Sequence, residues 1–314
     1  MKNILITGGC GFTGTILTND LLELGHKVTV VDIQWFGNYL RPRNNLKIIK
    51  LDIRKFNELP LQGIDIVIHL ANIANDPGVE LNPKLSWEVN VLATQKLVEN
   101  SIKNKVKQFI FASSGSVYGI KKEMEVTEEL TLVPVSTYNE TKMIAERVIK
   151  SYENEIIFHS VRPATVCGYS PRMRLDTSVN MFAFQALKSK SISVFGGDQI
   201  RPNIHIQDLT NVYKHFILNP DLPSGFYNAG FENLKIIDIA KKVAEIIPAE
   251  IIVTKNENDP RSYRQNSTKL ELTGFKKKYS VSYAIKEIKD KYENKKFEES
   301  INCYTVKRMK ELKL

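Results

Sequence analysis

Cysteine is scarce in this 314-residue sequence, and its three cysteines lie far apart along the chain. Cys10, Cys167 and Cys303 show no metal-ligand spacing, so we expect neither a bound metal nor a disulfide framework. Long apolar runs are missing as well, which argues against a membrane-spanning helix of about 20 residues. No signal peptide is visible, because the first apolar strand leads directly into a glycine loop. These absences predict a cytoplasmic protein with no membrane partner.

Positive charge is concentrated at one end of the chain. The net charge is +9, and residues 276–314 carry twelve Lys or Arg against six Asp or Glu. A basic segment can bind nucleic acid or anionic lipid, but a solvated helical face is the commoner case. We interpret the segment as such a face, treat residues 301–314 as a basic C-terminal tail, and expect no nucleic-acid partner.

A glycine-rich turn follows the first strand pattern. Residues 2–7 are an apolar, β-branched run typical of a buried strand, and a helical pattern runs from Thr15 to Leu24. The glycines between them satisfy two overlapping patterns, G-x-G-x-x-G (Gly9, Gly11, Gly14) and G-x-x-G-x-x-G (Gly8, Gly11, Gly14). Such a loop lets the backbone approach a pyrophosphate that the helix N-terminus binds. The pattern predicts a dinucleotide site, and the alternative is a turn in a non-binding α/β protein.

An acidic residue ends the second strand pattern. Residues 26–31 form that strand, and Asp32 follows it, eighteen residues after Gly14. A carboxylate there accepts hydrogen bonds from the adenosine ribose hydroxyls and repels a 2′-phosphate. No arginine occurs in the next three residues, 33–35. The sequence therefore predicts NAD rather than NADP as the cofactor.

Strand and helix patterns alternate through the first half of the chain. Strands are predicted at 2–7, 26–31, 46–51, 64–69, 106–112 and 156–161, with long helices near 83–103 and 136–152. This alternation predicts an α/β fold, a Rossmann-type doubly wound parallel sheet with helices on both faces. Ligands of such sheets bind beyond the carboxyl ends of the strands.

The second half of the chain has a less regular pattern. Helices are predicted near 177–188, 209–218, 236–247 and 282–292, and strands at 191–195 and 203–206. We expect a smaller mixed α/β substrate domain that packs on the first and forms a cleft. We predict that the NAD-binding domain comprises residues 1–167 and a later segment, about 203–230, that returns to it. The substrate domain is predicted to comprise about 168–202 and 231–300.

Three polar residues form a candidate catalytic set. Tyr138 and Lys142 are four apart on a predicted helix and share a face, and Ser114 follows the fifth strand. A tyrosine base needs its pKa lowered from about 10 by roughly three units, or about 4 kcal/mol. A nearby cation supplies one to three units, so Lys142 and the positive nicotinamide ring together suffice. The alternative for Tyr-x-x-x-Lys alone is an ordinary amphipathic helix.

With these residues in place, the chain resembles the nucleotide-sugar epimerase/dehydratase branch of the extended short-chain dehydrogenase/reductase family. The resemblance covers nearly the whole chain and rests on segments 7–14, 51–54, 69–71, 89–90, 113–119, 138–142, 162–168, 201–206 and 227–230. It implies Tyr138 as the base, Ser114 as its hydroxyl partner and Lys142 on the nicotinamide ribose. It also implies a homodimer through a four-helix bundle built from the two long helices.

The resemblance implies two sets of ligand contacts. The NAD contacts are Gly8, Gly11, Phe12, Thr13, Gly14, Asp32, Ile33, Asp52, Ile53, Leu70, Ala71, Asn90, Ser113, Tyr138, Lys142, Pro163 and Thr165. The nucleotide-sugar contacts comprise two serines, Ser114 and Ser116, and the pair Arg172 and Arg174. They also include Asn180 and Arg201 at the pyrophosphate, Phe195 at the base, and Arg261 as a further phosphate or ribose ligand. The arginine pair resembles a subset that includes bacterial surface-polysaccharide enzymes.

These features predict an NAD-dependent enzyme that epimerises a nucleoside-diphosphate sugar at C4 through a 4-keto intermediate. A 4-dehydrogenase that releases the keto sugar is an alternative, since the same groups perform the first half-reaction. A non-catalytic nucleotide sensor or nucleic-acid binder is a third. Dehydration is disfavoured because Gly115-Ser116 stands where 4,6-dehydratases carry an Asp-Glu pair, the proton shuttle for elimination.

Overall fold

The computed structural model of the protein describes residues 1–254 and 262–314. Its central sheet consists of β1 (Asn3–Thr7), β2 (Lys27–Asp32), β3 (Leu46–Lys50), β4 (Ile66–His69), β5 (Gln108–Ala112), β6 (Ile157–Pro163) and β10 (Gly225–Ala229). The strands are parallel and run in the order β3-β2-β1-β4-β5-β6-β10. The carboxyl ends of these strands therefore all lie at one edge of the sheet.

Helices cover both faces of this sheet, which explains why its central strands are largely apolar. The helices that do so are α1 (Phe12–Glu23), α2 (Asp76–Leu81), α3 (Pro83–Trp87), α4 (Ala93–Lys103), α5 (Thr137–Lys150) and α7 (Ile206–Leu218). Leu17 of α1 and Phe216 of α7 belong to one buried core, and Leu97 of α4 and Ala145 of α5 to another. The predicted doubly wound α/β fold is thus confirmed.

A smaller mixed layer completes the molecule. It contains β7 (Thr165–Cys167), β8 (Ser191–Phe195), β9 (Ile200–His205), β11 (Glu232–Lys235) and β12 (Glu250–Thr254), with helices α6 (Ser178–Ser189), α8 (Ile236–Ile246), α9 (Thr268–Leu272), α10 (Val281–Glu293) and α11 (Thr305–Glu311). Strand β9 lies between parallel β7 and antiparallel β11, and β8 pairs with β12. Phe182, Val243 and Ile285 join α6, α8 and α10 in one core. The exact domain boundaries remain a prediction.

Two differences from the predicted elements have local causes. Strands β7, β10, β11 and β12 are absent from the predicted set. Glu232–Lys235 lacks the apolar alternation of a strand, and it forms β11 by pairing with β9. The helix predicted over 83–103 contains a π-turn at Glu88–Leu92 between α3 and α4. Such turns are frequent at functional sites. No helix of the described ranges has the length and apolarity to cross a membrane.

The C-terminal residues form ordered structure against the main sheet unit. Residues 301–314 contain a 3-10 turn and α11, which packs on α2. Met309 is buried in the same core as the α4 and α5 residues. The Leu175 N–H donates to the Cys303 carbonyl at 3.0 Å. The segment interpreted from sequence as a basic tail is thus part of the wall beside the strand ends.

Candidate active site

A large cavity lies beyond the carboxyl ends of the central strands. Its volume is about 660 Å³, which is in the range of small-molecule sites. Most of the predicted residues line it: Gly8, Gly11, Phe12, Thr13, Gly14, Asp32, Ile33, Asp52, Ile53, Leu70, Ala71, Ser113, Ser114, Ser116, Tyr138, Lys142, Pro163, Thr165, Arg172, Arg174, Phe195 and Arg201. The fold therefore brings the two predicted ligand sets into one space.

The glycine loop is too tight for side chains at two positions. Gly8 has a φ of 74°, and a Cβ there would lie 2.6 Å from the Ala71 nitrogen. A Cβ on Gly14 would lie 2.3 Å from the Gly8 carbonyl oxygen. Helix α1 begins directly after Gly11, with no side-chain cap and no acidic residue in its first turn. Its N–H groups and the positive end of its dipole are therefore available to an anion.

The last two glycines of the loop are predicted to fail in different ways when replaced by alanine. Gly14→Ala should lower the melting temperature, because its Cβ meets backbone that cannot move without opening the loop. Gly11→Ala should leave the melting temperature nearly unchanged, since its Cβ meets only the Gly8 oxygen, at 3.2 Å. It should nevertheless weaken NAD binding, because Gly11 lines the cavity. Thermal melts and NADH titrations check both, and equal melting temperatures for the two variants would contradict this explanation.

Asp32 and Asp52, the acidic residues predicted to contact NAD, both line the cavity. One Asp32 oxygen accepts the Cys10 N–H at 2.9 Å and the other accepts the Gln34 N–H at 2.7 Å. Burial raises the pKa of Asp32, while these two bonds and the charge of Arg172 oppose the shift. Each carboxylate oxygen has a second lone pair, so both remain able to accept ribose hydroxyls.

Lys142 is the most buried of the candidate catalytic groups. Its ammonium donates to the Ala112 carbonyl at 2.7 Å and lies 4.8 Å from the centre of the Phe111 ring. Desolvation lowers the pKa of Lys142 to about 7, although the charge of Glu146 raises it. Tyr138, one helical turn earlier on α5, lines the same cavity. A partly buried tyrosine and a lysine one helical turn apart in the wall of one cavity are suited to proton transfer.

Burial of Lys142 has a predicted consequence for stability. Lys142→Met should raise the free energy of unfolding by roughly 3–5 kcal/mol below pH 7, where the folded protein holds a desolvated ammonium. Between pH 7 and about 10.5 only the unfolded chain keeps that proton, so the free energy of unfolding of the wild type rises with pH. The stability advantage of Lys142→Met over the wild type therefore becomes smaller. Denaturant unfolding at pH 6 and pH 9 measures it. Lys150→Met, on the exposed end of the same helix, is the control and should show no such dependence.

Ser114 begins the short turn that follows β5. Its hydroxyl lies 2.7 Å from the Ser116 hydroxyl and also accepts the Ser116 N–H at 3.2 Å. Both serines line the cavity together with Tyr138. A hydroxyl held in this way can hydrogen-bond a substrate oxygen while a neighbouring base removes its proton.

The two arginines of the Ser170–Asp176 segment have different surroundings. Arg174 donates from Nε to Asp176 at 2.8 Å, and Arg172 is only 4% exposed. The charge of Arg174 and its hydrogen bond, assisted by the Thr305 N–H, hold the pKa of Asp176 at about 2 although burial opposes this. Burial lowers the pKa of Arg172 to about 10, with a contribution from Arg174. Arg172 therefore remains cationic at neutral pH.

Two predicted ligands, Asn180 and Asn90, are not among the residues that line the cavity. The Asn180 amide oxygen accepts the Gly168 N–H, and its NH₂ donates to the carbonyls of Gly168 and Arg174, so this side chain fixes the chain fold. Asn90 likewise bonds both backbone groups of Ile73. Neither side chain faces the cavity, because each amide is engaged by buried backbone. Arg261 lies outside the described residues.

Several cavity residues were missed at the level of sequence. Trp35 and Phe36 follow Asp32 closely, so their position after β2 was the available signal. Thr305 and Met309 line the cavity from α11, far along the chain from the other lining residues, and no motif marks them. Asp176 is close to Arg174 in sequence, but its bond to that guanidinium appears only in the fold.

The described parts of the chain, 1–254 and 262–314, contain no group of three or more His, Cys, Asp or Glu side chains that could hold a metal ion. The cavity does fit a dinucleotide. The glycine cradle leaves no room for added Cβ atoms, the N-terminus of α1 is free, and Asp32 stands at the end of β2. These three features accommodate a diphosphate and an adenosine ribose.

Comparison with known proteins supports the same conclusion. A model of the NAD dependent epimerase/dehydratase family matches residues 4–230. UDP-glucuronic acid decarboxylase 1 of Xenopus tropicalis is 28% identical over 292 residues, 86% of this chain and 67% of the relative. UDP-glucose 4-epimerase of Lactobacillus helveticus is 26% identical over 308 residues, 88% and 92% of the two chains. The solved structure of MoeE5 in complex with UDP-glucuronic acid and NAD is 25% identical, has a TM-score of 0.82, and covers 93% of this chain and 99% of that one.

The family match spans well over half of the chain, and solved neighbours hold NAD in the same fold. The family resemblance and the NAD cofactor predicted from the glycine loop and Asp32 are thereby confirmed. The chain is an NAD-dependent enzyme that belongs to the NAD-dependent epimerase/dehydratase family.

Proposed function

We propose that this enzyme epimerises a nucleoside-diphosphate sugar at C4 through a transient 4-keto intermediate. The observation that carries the proposal is the placement of Ser114, Tyr138 and Lys142 in the walls of the cavity that the glycine loop also lines. Known proteins similar in sequence include a UDP-glucose 4-epimerase, which supports a nucleotide-sugar substrate. The three side chains supply a hydrogen-bond partner, a proton acceptor and a cation for one sugar hydroxyl.

In this mechanism Tyr138 removes the proton from O4 and later returns it to the epimer. Ser114 keeps the oxygen in place while the proton moves, and Lys142 stabilises the phenolate. Bound NAD supplies hydride acceptance from C4 and hydride return to the same carbon. The keto sugar must rotate within the cavity so that the hydride can return to the opposite face of C4. This rotation requires that the nucleotide, and not the sugar, makes most of the binding contacts.

The carboxylates of the cavity do not favour dehydration. In the described chain they are Asp32, Asp52, Asp76 and Asp176. Asp52 bonds Arg54, Asp176 bonds Arg174, and Asp76 accepts a hydrogen bond from Ser136 at the start of α5. No acid pair accompanies Ser114, since Gly115 and Ser116 follow it. Elimination across C5–C6 would therefore lack its proton shuttle.

The nucleotide end of the substrate is proposed to lie against the second layer of the molecule. Phe195 is 55% exposed at the end of β8, and a base can stack on its ring. Arg201 and Arg174 line the cavity nearby and can bind a diphosphate through paired N–H groups. We include Arg261 as a further phosphate or ribose ligand, on the family resemblance alone.

The experiment uses UDP-, GDP- and CDP-sugars, including UDP-glucose and UDP-glucuronic acid, each labelled with deuterium at C4. Product NMR is recorded with the purified holoenzyme. We expect a C4 epimer that keeps its deuterium without net formation of NADH, because the same hydride leaves and returns. Formation of stoichiometric NADH with release of a free keto sugar would contradict epimerisation and support the 4-dehydrogenase alternative. Release of water or carbon dioxide, or absence of turnover with every sugar, would overturn the proposal.

We also infer the setting of this activity. A homodimer through the outer faces of α4 and α5 is proposed, with the 56% exposed Leu92 beside α4 at its centre. Light scattering at micromolar concentration tests it, and a monomer would contradict it.

A cytoplasmic role in surface-polysaccharide synthesis remains the proposal drawn from the Arg172 and Arg174 resemblance.

A further inference from the structure

We infer that Arg172 is a ligand of the cofactor's diphosphate, so that the two arginines of the Ser170–Asp176 segment serve different ligands. From sequence both arginines were assigned to the nucleotide sugar. The inference concerns NAD, on which the family depends. Only the contrasting role of Arg174 rests on the proposed function.

The segment that carries Arg172 is fastened to the glycine-loop helix. The Ser170 hydroxyl donates to the Phe12 carbonyl at 2.8 Å, and Phe12 is the first residue of α1. Two residues of chain span at most about 7 Å, so the Arg172 backbone lies close to the helix end that receives the phosphates. The charge of Arg172 acts on Asp32, the carboxylate at the end of β2. Arg172 thus lies near both the N-terminus of α1 and the Asp32 carboxylate.

The guanidinium of Arg172 lies over an aromatic ring, and one of its N–H groups has no hydrogen-bond partner within the described residues. Its central carbon lies 4.2 Å from the centre of the Phe36 ring. Stacking on a ring uses the planar face and leaves the N–H groups in the plane free for acceptors. The side chain is almost fully buried, yet its Nε has no hydrogen-bond partner within the described residues. A buried N–H group without a partner is rare and calls for a ligand.

The neighbouring carboxylates are engaged elsewhere. Asp32 accepts the N–H groups of Cys10 and Gln34. Asp176 accepts Arg174 on one oxygen and the Thr305 N–H on the other. A desolvated cation without a bonded counter-ion is strongly unfavourable. An anion that enters the cavity at this point would remove that penalty, and the diphosphate is the anion that the α1 terminus also favours.

Arg174 differs in each of these respects. Its Nε is already bonded to Asp176, and its carbonyl accepts the Asn180 amide, which ties it to α6. The C-terminal segment fixes this arrangement through the bond from Thr305 to Asp176. The backbone of Arg174 is therefore tied to α6, and its guanidinium already has a carboxylate partner. Arg174 is the better candidate for the nucleotide sugar.

The test compares Arg172→Met with Arg174→Met in binding titrations without a sugar substrate. NADH and ADP-ribose share the diphosphate, NADPH adds a 2′-phosphate, and UDP probes the substrate side. Arg172→Met should raise the Kd of both NADH and ADP-ribose about 10- to 100-fold, as expected for a charge-assisted bond, and leave the Kd of UDP within about twofold. Arg172→Lys should recover only part of the loss, because an ammonium lacks the bidentate fork. Arg174→Met should leave NADH affinity nearly unchanged.

Thermal melts of the cofactor-free protein separate a ligand from a packing role. Arg172→Met removes a buried cation and should not lower the melting temperature, while the rise caused by NADH should become smaller. An unchanged Kd for NADH would overturn the inference. A lowered melting temperature together with equal losses of affinity for NADH and UDP would also overturn it, because it would indicate a packing role. So would a loss of affinity confined to NADPH. If the wild-type protein failed to bind UDP, the proposed uridine nucleotide-sugar substrate would be wrong. The NADH titrations would still determine the role of Arg172.

Discussion

Replacement of Tyr138 by phenylalanine is expected to lower kcat by about two to four orders of magnitude. The change removes only the phenolic oxygen, and a positioned proton acceptor contributes a factor of that size. NADH affinity should stay within a few-fold of wild type, because the glycine loop, Asp32 and the N-terminus of α1 are unchanged. Steady-state assays with the active sugar and NADH titrations measure the two quantities separately.

A matched control distinguishes loss of the base from loss of any tyrosine on this helix. Tyr152 lies just beyond the end of α5, where its hydroxyl donates to Glu99, far from the cavity lining. Tyr152→Phe should retain wild-type turnover. If Tyr138→Phe also retained it, another group would have to take the O4 proton, and the proposed role of Tyr138 would be wrong.

Replacement of Glu146 by alanine is expected to lower the free energy of unfolding by about 3–5 kcal/mol, the usual effect of breaking a buried ion pair. Glu146 on α5 and Arg162 on β6 are 1% and 2% exposed. Their bonds are bidentate, at 2.9 Å and 2.7 Å. Arg162 also donates to Tyr118, which in turn donates to Asn228 on β10. Removal of the carboxylate leaves a buried guanidinium without its counter-ion.

The effect should come from the unpaired charge and not from the lost volume. Glu140→Ala, at an exposed position of the same helix, should change stability by less than about 0.5 kcal/mol. The double replacement Glu146→Met with Arg162→Met should recover much of the loss, because buried pairs can often be exchanged for apolar residues. Urea unfolding of wild type and the three variants provides the comparison. A double variant less stable than Glu146→Ala would mean that packing, not charge, dominates.

The local part of the site could be predicted because its chemistry is contiguous in sequence. The glycines of the loop, the acidic residue at the end of β2, and the i, i+4 pair on α5 each occupy one short segment whose geometry follows from backbone periodicity. Parallel strands place their carboxyl ends together, so these segments meet at one edge of the sheet. Both the fold class and the cofactor followed from such local rules.

Long-range contacts were outside the reach of those rules. The bond from Ser170 to Phe12 joins residues 158 positions apart, and that from Thr305 to Asp176 joins residues 129 apart. Sequence spacing offered no reason to place Arg172 beside Phe36, or α11 beside the cavity. The roles assigned by resemblance to Asn90 and Asn180 did not account for their burial, where backbone groups take their amides.

The sequence by itself determined a doubly wound sheet and an NAD cofactor, because these depend on residue periodicity and on short segments such as the glycine loop and Asp32. The family followed from the resemblance of motifs spread over the chain. Only the tertiary structure decided that Arg172 lies against Phe36, that the amides of Asn90 and Asn180 bond buried backbone, and that the last helix lines the cavity. Those outcomes depend on burial and on hydrogen-bond partners distant in the chain, and neither is encoded in local spacing.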